Sequence, residues 1–285
     1  MSGMLRVACI QMRSSVHEQA NIADMEQLVE NAVSRGASYV QTPEMTGILQ
    51  RNRAGLFAEI SADQGNPVFA AAARLARKHQ IWVHVGSTAI ATQQDKAANR
   101  AALFSPTGER VASYDKIHMF DVDLDNGESW RESAVYVPGN QAVIAPVAGV
   151  NFGLAICYDL RFPQLFQAQA MAGAQMLTCP AAFTRQTGEA HWHALLRARA
   201  IENGAFVIAA AQGGKHEDGR ETYGHSLVID PWGVTIGELD HDEPGVLICD
   251  IDVERAKAAR AKIPNLVNRR EFSGPGSADA KRGAA

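Results

Sequence analysis

One thiol, one ammonium and two carboxylates stand where short apolar runs give way to polar turns. Together they are the groups that nucleophilic attack on a carbonyl requires. Cys157 closes the apolar run from Val150 to Ile156 in GLAICYDLRFPQLF, and Pro163 follows at the expected start of a helix. A strand-to-helix turn pushes its central side chain out over a sheet edge, where a nucleophile can meet a substrate. A free thiol has a pKa of about 8.5, so a base and a cation must come from elsewhere to ionise it. Three segments offer them. TPEMTG places Glu44 just after a short strand, where partial loss of water suits a carboxylate to proton transfer. YDKIHMFDVDL places Lys116 and His118 after a strand ending at Tyr114. An ammonium there polarises a carbonyl, steadies an oxyanion and favours a neighbouring thiolate. GESWRES supplies Glu128 and Glu132, either suited to placing a water or a substrate group. Taken singly, the plain readings are a loop glutamate, a solvated cation, a loop salt bridge and a buried structural cysteine.

The elements that must carry these groups are short strands alternating with helices. Strand patterns run over Leu5 to Gln11, Ser38 to Gln41, Ile81 to Ala91, Ala101 to Ser105, Val111 to Tyr114, Val150 to Ile156, Gln175 to Cys179, Phe206 to Ala211, His225 to Asp230 and Val246 to Ile251. Helical stripes lie between them: Ile22 to Arg35, Pro67 to Gln80 behind an Asn66 cap, Gln164 to Met171, Glu189 to Asn203 stopped by Gly204, and Val253 to Lys262. Pro106-Thr107-Gly108 and Pro231-Trp232-Gly233 each read as a hairpin turn between strands. This alternation predicts a layered α/β fold with a mixed sheet. With no linker or internal repeat, residues 1–272 read as one domain, and 273–285 as a small polar tail expected to be disordered.

The chain has 285 residues, 46% of them hydrophobic, which is enough for a sizeable core. A net charge of −4 without a basic aromatic-laced run argues against nucleic acid or an anionic membrane surface as partner. No apolar run approaches the roughly 20 residues of a membrane span, and the N-terminus lacks a signal-peptide core. The four cysteines form no C-x-x-C pair, and Cys9, Cys179 and Cys249 read as small buried hydrophobes. That usage fits a soluble protein of a reducing cytoplasm.

Taken together, TPE, DKIH and CYDLRFP, in that order and with these gaps, resemble the nitrilase, or carbon–nitrogen hydrolase, superfamily from Val7 to about Arg270. The segment from AAFTRQTG to VIDPWG, with IPNLVNRR, resembles its deaminated-glutathione amidase branch, although TRQTG departs from the pattern expected there. The resemblance implies a four-layer α-β-β-α sandwich, at least a homodimer, no cofactor and no metal. It implies a Glu44, Lys116 and Cys157 triad with Glu132 as second glutamate. In the expected chemistry Cys157 attacks an amide carbonyl as Glu44 takes its proton. Lys116 and the Tyr158 N–H hold the oxyanion, and water aided by Glu44 and Glu132 releases the thioester. By the same resemblance the loop Phe183, Thr184, Arg185 to Thr187 faces the substrate, and His118 and Arg161 join that set. Arg185 is assigned a substrate carboxylate, because guanidinium matches that anion bidentately. The substrate expected is deaminated glutathione, a small-molecule amide, giving 2-oxoglutarate and cysteinylglycine. The alternatives are ω-amides of 2-oxo acids such as α-ketoglutaramate, and N-carbamoyl amino acids.

Three other classes compete. A metal hydrolase would use the nine histidines, but His191 and His193 are two apart on a helix and point about 200° apart, and His216 and His225 fit no HExxH spacing. A serine hydrolase would use Ser226, whose GHSLV lacks the second glycine of G-x-S-x-G. A scaffold that kept the fold and lost turnover is the third, and the right chemistry at all four catalytic positions argues against it. A face of Trp192, Leu195, Leu196 and Arg199 either packs on the chain's own sheet or meets a second copy.

Overall fold

In the computed structural model, which describes residues 3–124 and 127–274, the chain builds two sheets face to face. It starts with β1 (Met4–Gln11), α1 (Glu18–Ser34), β2 (Tyr39–Gln41), α2 (Arg53–Glu59), α3 (Pro67–His79), β3 (Trp82–Ala91), β4 (Ala97–Phe104) and β5 (Arg110–Asp115). A small hairpin of β6 (Asp121–Asp123) and β7 (Ser129–Arg131) follows, then β8 (Tyr136–Val137) beside β4. The second sheet takes β9 (Val143–Val147), β10 (Val150–Leu154), α4 (Pro163–Met171), β11 (Met176–Thr178), α5 (Arg185–Asn203) and β12 (Phe206–Ala209). After the hairpin β13 (Gly213–Lys215) and β14 (Glu221–Tyr223) come β15 (Leu227–Ile229) and β16 (Thr235–Glu238). β17 (Gly245–Asp252) returns to the first sheet, and α6 (Glu254–Lys262) and α7 (Asn265–Asn268) end the described chain.

Strand order is β17-β1-β2-β3-β4-β5 in one sheet and β16-β15-β12-β11-β10-β9 in the other. Each has a parallel centre, β1-β2-β3 and β10-β11-β12. Parallel neighbours need crossovers, and helices supply them. Side-chain alternation sorts the layers. In β1, Val7 and Cys9 pack between the sheets against Phe152, Phe206 and Ile208, while Ala8 and Ile10 face Met25 and Val29 of α1 and Leu75 of α3. In β12, Phe206 and Ile208 face inward, and Val207 and Ala209 face Trp192, Leu196 and Ala200 of α5. The layers are α-β-β-α.

Cap chemistry sets several helix ends. The Asn66 side chain accepts from the Phe69 N–H ahead of Pro67, and Gly204 ends α5 at φ 52°. α5 starts four residues before the expected Glu189, because Thr184 caps it and Gly188 does not break it. Gly188 lies where α5 meets Tyr223, and an added Cβ there would sit 2.3 Å from that residue's Cβ. The face of Trp192, Leu196 and Arg199 is buried in its own subunit, with the Arg199 guanidinium donating to the Leu160 carbonyl. β9 escaped the sequence reading since Pro146 interrupts it; an edge strand tolerates proline, and β9 is an edge. Ser273 and Gly274 have no regular structure, and the rest of the tail, 275–285, lies outside the described residues.

Candidate active site

Glu44 follows β2, Lys116 follows β5 and Cys157 follows β10 by three residues. β2 and β5 end on the same edge of their sheet, and the facing sheet brings β10 to it. The Glu44 turn is clamped from several directions. Thr46 N–H donates to the Ser87 carbonyl, Ser87 N–H to the Pro43 carbonyl, and the Gln212 amide to the Glu44 carbonyl. Gly86 permits this approach: a Cβ on it would lie 2.1 Å from the Thr42 carbonyl oxygen.

The Cys157 turn is a 3₁₀ segment, Cys157–Arg161, whose first residue has φ 48°. A non-glycine residue in the left-handed region carries strain that its surroundings must hold. Cys157 N–H donates to the Pro180 carbonyl at 2.9 Å. Asp159, fully buried, fastens the rest. Its Oδ2 accepts from Ile156 N–H at 2.9 Å and Tyr114 O–H at 2.7 Å, and its Oδ1 from His118 N–H at 3.0 Å. Asp159→Asn keeps the shape but turns an NH2 toward these donors. It is expected to lower kcat about 10- to 100-fold and to lose about 1–3 kcal/mol of stability. Steady-state kinetics beside urea unfolding checks this; an unchanged kcat would mean that the turn holds itself.

Four side chains converge. Lys116 Nζ lies 2.9 Å from Glu44 Oε1 and 2.9 and 2.8 Å from the two oxygens of Glu132. Asn99 Nδ2 donates to Glu44 Oε1 at 2.9 Å and to Glu132 Oε1 at 3.3 Å. The second oxygens are also satisfied: Ala182 N–H donates to Glu44 Oε2 and Phe120 N–H to Glu132 Oε2. Lys116 is 2% exposed and Glu44 3%, so these charges interact without water between them. Burial alone would raise Glu44. The Lys116 ammonium outweighs it, with the Cys157 thiol, Lys116 and Asn99 as donors, and holds Glu44 below the ordinary carboxylate value. Burial would lower Lys116, but Glu132 and Glu44 raise it well above its usual range. Burial pushes the Cys157 thiol well up, the Glu44 charge pushes it further, and Lys116 offsets only part. Both shifts favour a proton on the Cys157 sulfur beside the Glu44 carboxylate. Cys157, Glu44, Lys116 and Glu132 share the wall of one cavity of about 210 Å³.

The family model described as carbon–nitrogen hydrolase matches residues 6–261. The chain belongs to the carbon–nitrogen hydrolase family. A curated deaminated glutathione amidase of Yersinia enterocolitica is 38% identical over 281 residues, covering 97% of each chain. The one from Rattus norvegicus is 39% identical, over 93% of this chain and 82% of the relative. Among solved structures, the C. elegans NitFhit protein superposes with a TM-score of 0.85 at 31% identity, over 94% of this chain and 66% of that one. An amidase from Nesterenkonia sp., in a cysteine-to-alanine variant complexed with butyramide, has a TM-score of 0.77 at 28% identity, over 92% and 96%.

In this hydrolase the cavity is also lined by Tyr158, Arg161, Phe183, Thr184 and Thr187. Phe183 packs on Trp192, and Thr184 and Thr187 share a hydroxyl contact of 2.9 Å at the start of α5. The Arg161 guanidinium lies over the Tyr158 and Phe183 rings. Two of the expected residues are elsewhere. Arg185 is not on the cavity wall; its guanidinium pairs with Asp242 at 2.5 Å and lies near Glu221 and Glu189, so its charge is already answered. His118 does not line the cavity either. Its ring stacks on Phe162 at 3.6 Å and meets Asp159 at 2.7 Å, behind the nucleophile turn. Glu128 accepts from the Trp130 indole rather than facing the thiol. Ser226 is buried between the sheets, donating to Gln11, and His216 is spent on Ser14 and Thr222.

Sequence reasoning missed Asn99 and a set of arginines on the cavity wall, Arg51, Arg53, Arg131 and Arg220. A buried asparagine inside the apolar strand AANRAALF was the one available signal for Asn99.

Proposed function

We propose that this hydrolase cleaves the amide of deaminated glutathione to 2-oxoglutarate and cysteinylglycine, with Cys157 as nucleophile, Glu44 as general base and acid, and Lys116 as oxyanion support. The observation that carries the reading is one buried ammonium shared by two carboxylates, Glu44 and Glu132, on the cavity wall that also holds the Cys157 thiol. A neutral thiol next to an ionised carboxylate needs no prior ionisation. As sulfur attacks the carbonyl carbon, its proton passes to Glu44, and the C–O π electrons move onto oxygen near the Lys116 ammonium and the Tyr158 N–H. Collapse of the tetrahedral adduct breaks the C–N bond as Glu44 protonates the leaving nitrogen. A thioester remains on Cys157. Water then gives a proton to Glu44, attacks the thioester carbonyl and releases the acid and the thiol. Glu132 holds Lys116 through both oxygens and so fixes the ammonium during both halves.

The curated relatives named deaminated glutathione amidase support the choice of substrate, as does Arg161, a cation beside the nucleophile turn suited to a carboxylate. Amine release is to be measured side by side from deaminated glutathione, α-ketoglutaramate and an N-carbamoyl amino acid. Deaminated glutathione should have the highest kcat/KM. If either other compound exceeds it tenfold, the substrate assignment fails and the ω-amidase or carbamoyl reading takes its place.

The pH profile is a second test. Activity needs Glu44 ionised and Cys157 protonated in the free enzyme. Glu44 lies below its ordinary 4.5 and Cys157 well above 9.0. kcat/KM should therefore stay flat between roughly pH 5 and pH 9, falling below that window as Glu44 gains a proton and above it as Cys157 loses one. A bell centred near neutrality, measured with a substrate that does not titrate there, would contradict this assignment.

Residues 1–272 are proposed to act as one domain, with the buried layer that holds Val7, Cys9, Phe152, Phe206 and Ile208 shared between the sheets. Four free cysteines support a cytoplasmic setting. Self-association is supported by exposed Ile201, Trp232, Val234 and Ile263.

A further inference from the structure

We propose that Arg51, together with Trp130 and Arg220, seats a carboxylate on the leaving-group side of the substrate. The inference rests on the amide-hydrolase reading of the Cys157 site and adds a specificity determinant to it.

The arginines on the cavity wall are not equivalent. Arg53 pairs with Asp95 at 3.2 Å, and Arg131 pairs with both oxygens of Asp123 at 2.9 and 2.8 Å. Those charges are answered within the protein. Arg51 has no carboxylate partner among the described residues; its guanidinium carbon lies 4.2 Å over the Trp130 ring. Arg220 lies over the same ring at 4.7 Å. It meets Asp218 at 3.2 Å, yet its buried Nε has no acceptor among the described residues. One indole thus holds two like charges, and that indole is itself tied through Nε1 to Glu128 at 3.0 Å. A guanidinium stacked on an aromatic face is held in orientation while its in-plane N–H groups stay free to donate sideways. Two like charges on one ring repel each other, and an anion that accepts from the Arg51 N–H groups relieves that repulsion. A carboxylate fits, because its two oxygens match the guanidinium fork.

Chain position gives the side. The leaving nitrogen must reach Glu44 to take its proton, so the leaving group runs out from Glu44. Met45, Leu49, Gln50 and Arg51 come from the segment that follows Glu44 and line the same cavity, and the proposal places the leaving group along them. Arg161 belongs to the Cys157 turn, with its guanidinium over the Tyr158 and Phe183 rings, and the proposal assigns it the acyl side. A substrate with one carboxylate at each end of the scissile amide would engage both.

The test uses pairs of amides built on whichever acyl group the wild-type enzyme cleaves, the leaving amine being either a dipeptide acid or the same dipeptide capped as its carboxamide. Wild type should favour the acid about 10- to 100-fold in kcat/KM, carried by KM. In Arg51→Gln the acid-over-carboxamide ratio should fall toward one, and Arg51→Lys should restore part of it. A wild type without preference overturns the proposal, and so does an Arg51→Gln variant that keeps the ratio or loses both substrates equally. Loss of a preference for an acyl-side carboxylate instead would overturn the assignment of side. Calorimetric binding of cysteinylglycine against cysteinylglycinamide gives the same comparison without turnover. If deaminated glutathione is not cleaved but the dipeptide acid still binds better and loses that advantage in Arg51→Gln, the substrate reading fails while the subsite stands. Equal binding of acid and carboxamide sinks the subsite.

Discussion

Cys157→Ala is expected to remove amide hydrolysis by a factor on the order of 10⁴ or more while the protein stays folded. The side chain is 8% exposed at a cavity wall, so the truncation deletes a sulfur without opening a void in the inter-sheet layer. Cys157→Ser should fare little better. The Glu44 carboxylate is held below its ordinary pKa and is a weak base. It can assist a thiol, whose proton is comparatively acidic, but is poorly matched to a hydroxyl. Single-turnover assays and intact-mass detection of an acyl adduct on wild type, absent from Cys157→Ala, measure the effect. Near-normal turnover in Cys157→Ala would put the nucleophile elsewhere, and the buried Ser226 offers no replacement.

Lys116→Met is expected to show the next largest effect, in two parts. Removing the ammonium leaves Glu44 and Glu132 facing each other in a dry site, because both now depend on it for charge balance. Breaking a buried pair in this way costs about 3–5 kcal/mol. One of the two carboxylates then takes up a proton. Loss of oxyanion support separately lowers kcat about 10²- to 10³-fold. The two parts can be parted by adding Glu132→Gln to Lys116→Met. The double variant should regain much of the stability, read by urea unfolding, yet none of the kcat. A Lys116→Met enzyme with kcat intact and only KM raised would show that the ammonium binds the ground state alone.

Much of this site was legible because its three central groups each follow a strand in the chain. Cys157, Glu44 and Lys116 are readable as polar residues at the ends of apolar runs, and Pro163 marks the helix after the nucleophile. What a linear pattern cannot carry is which neighbours spend a charged group. Arg185 looked available and is consumed by Asp242, from a loop 57 residues on. His118 sat two residues from Lys116 and serves Asp159 instead, 41 residues away. Asn99 and Arg51 were passed over for the converse reason, since each gains its meaning only from partners on other strands and hairpins. The protonation state of the thiol was hidden too. Types and spacing announced a base and a cation, but desolvation, which depends on packing, decides where the proton rests.

The strained first residue of the 3₁₀ turn and the dry carboxylate beside it have a consequence for the protein's lifetime. Peroxide and alkylating agents attack the anionic form of sulfur and need an open approach. Cys157, 8% exposed, meets solvent at the wall of the cavity that Glu44, Lys116 and Glu132 also line. A substrate that fills the cavity covers that approach, so turnover itself shields the sulfur from oxidants.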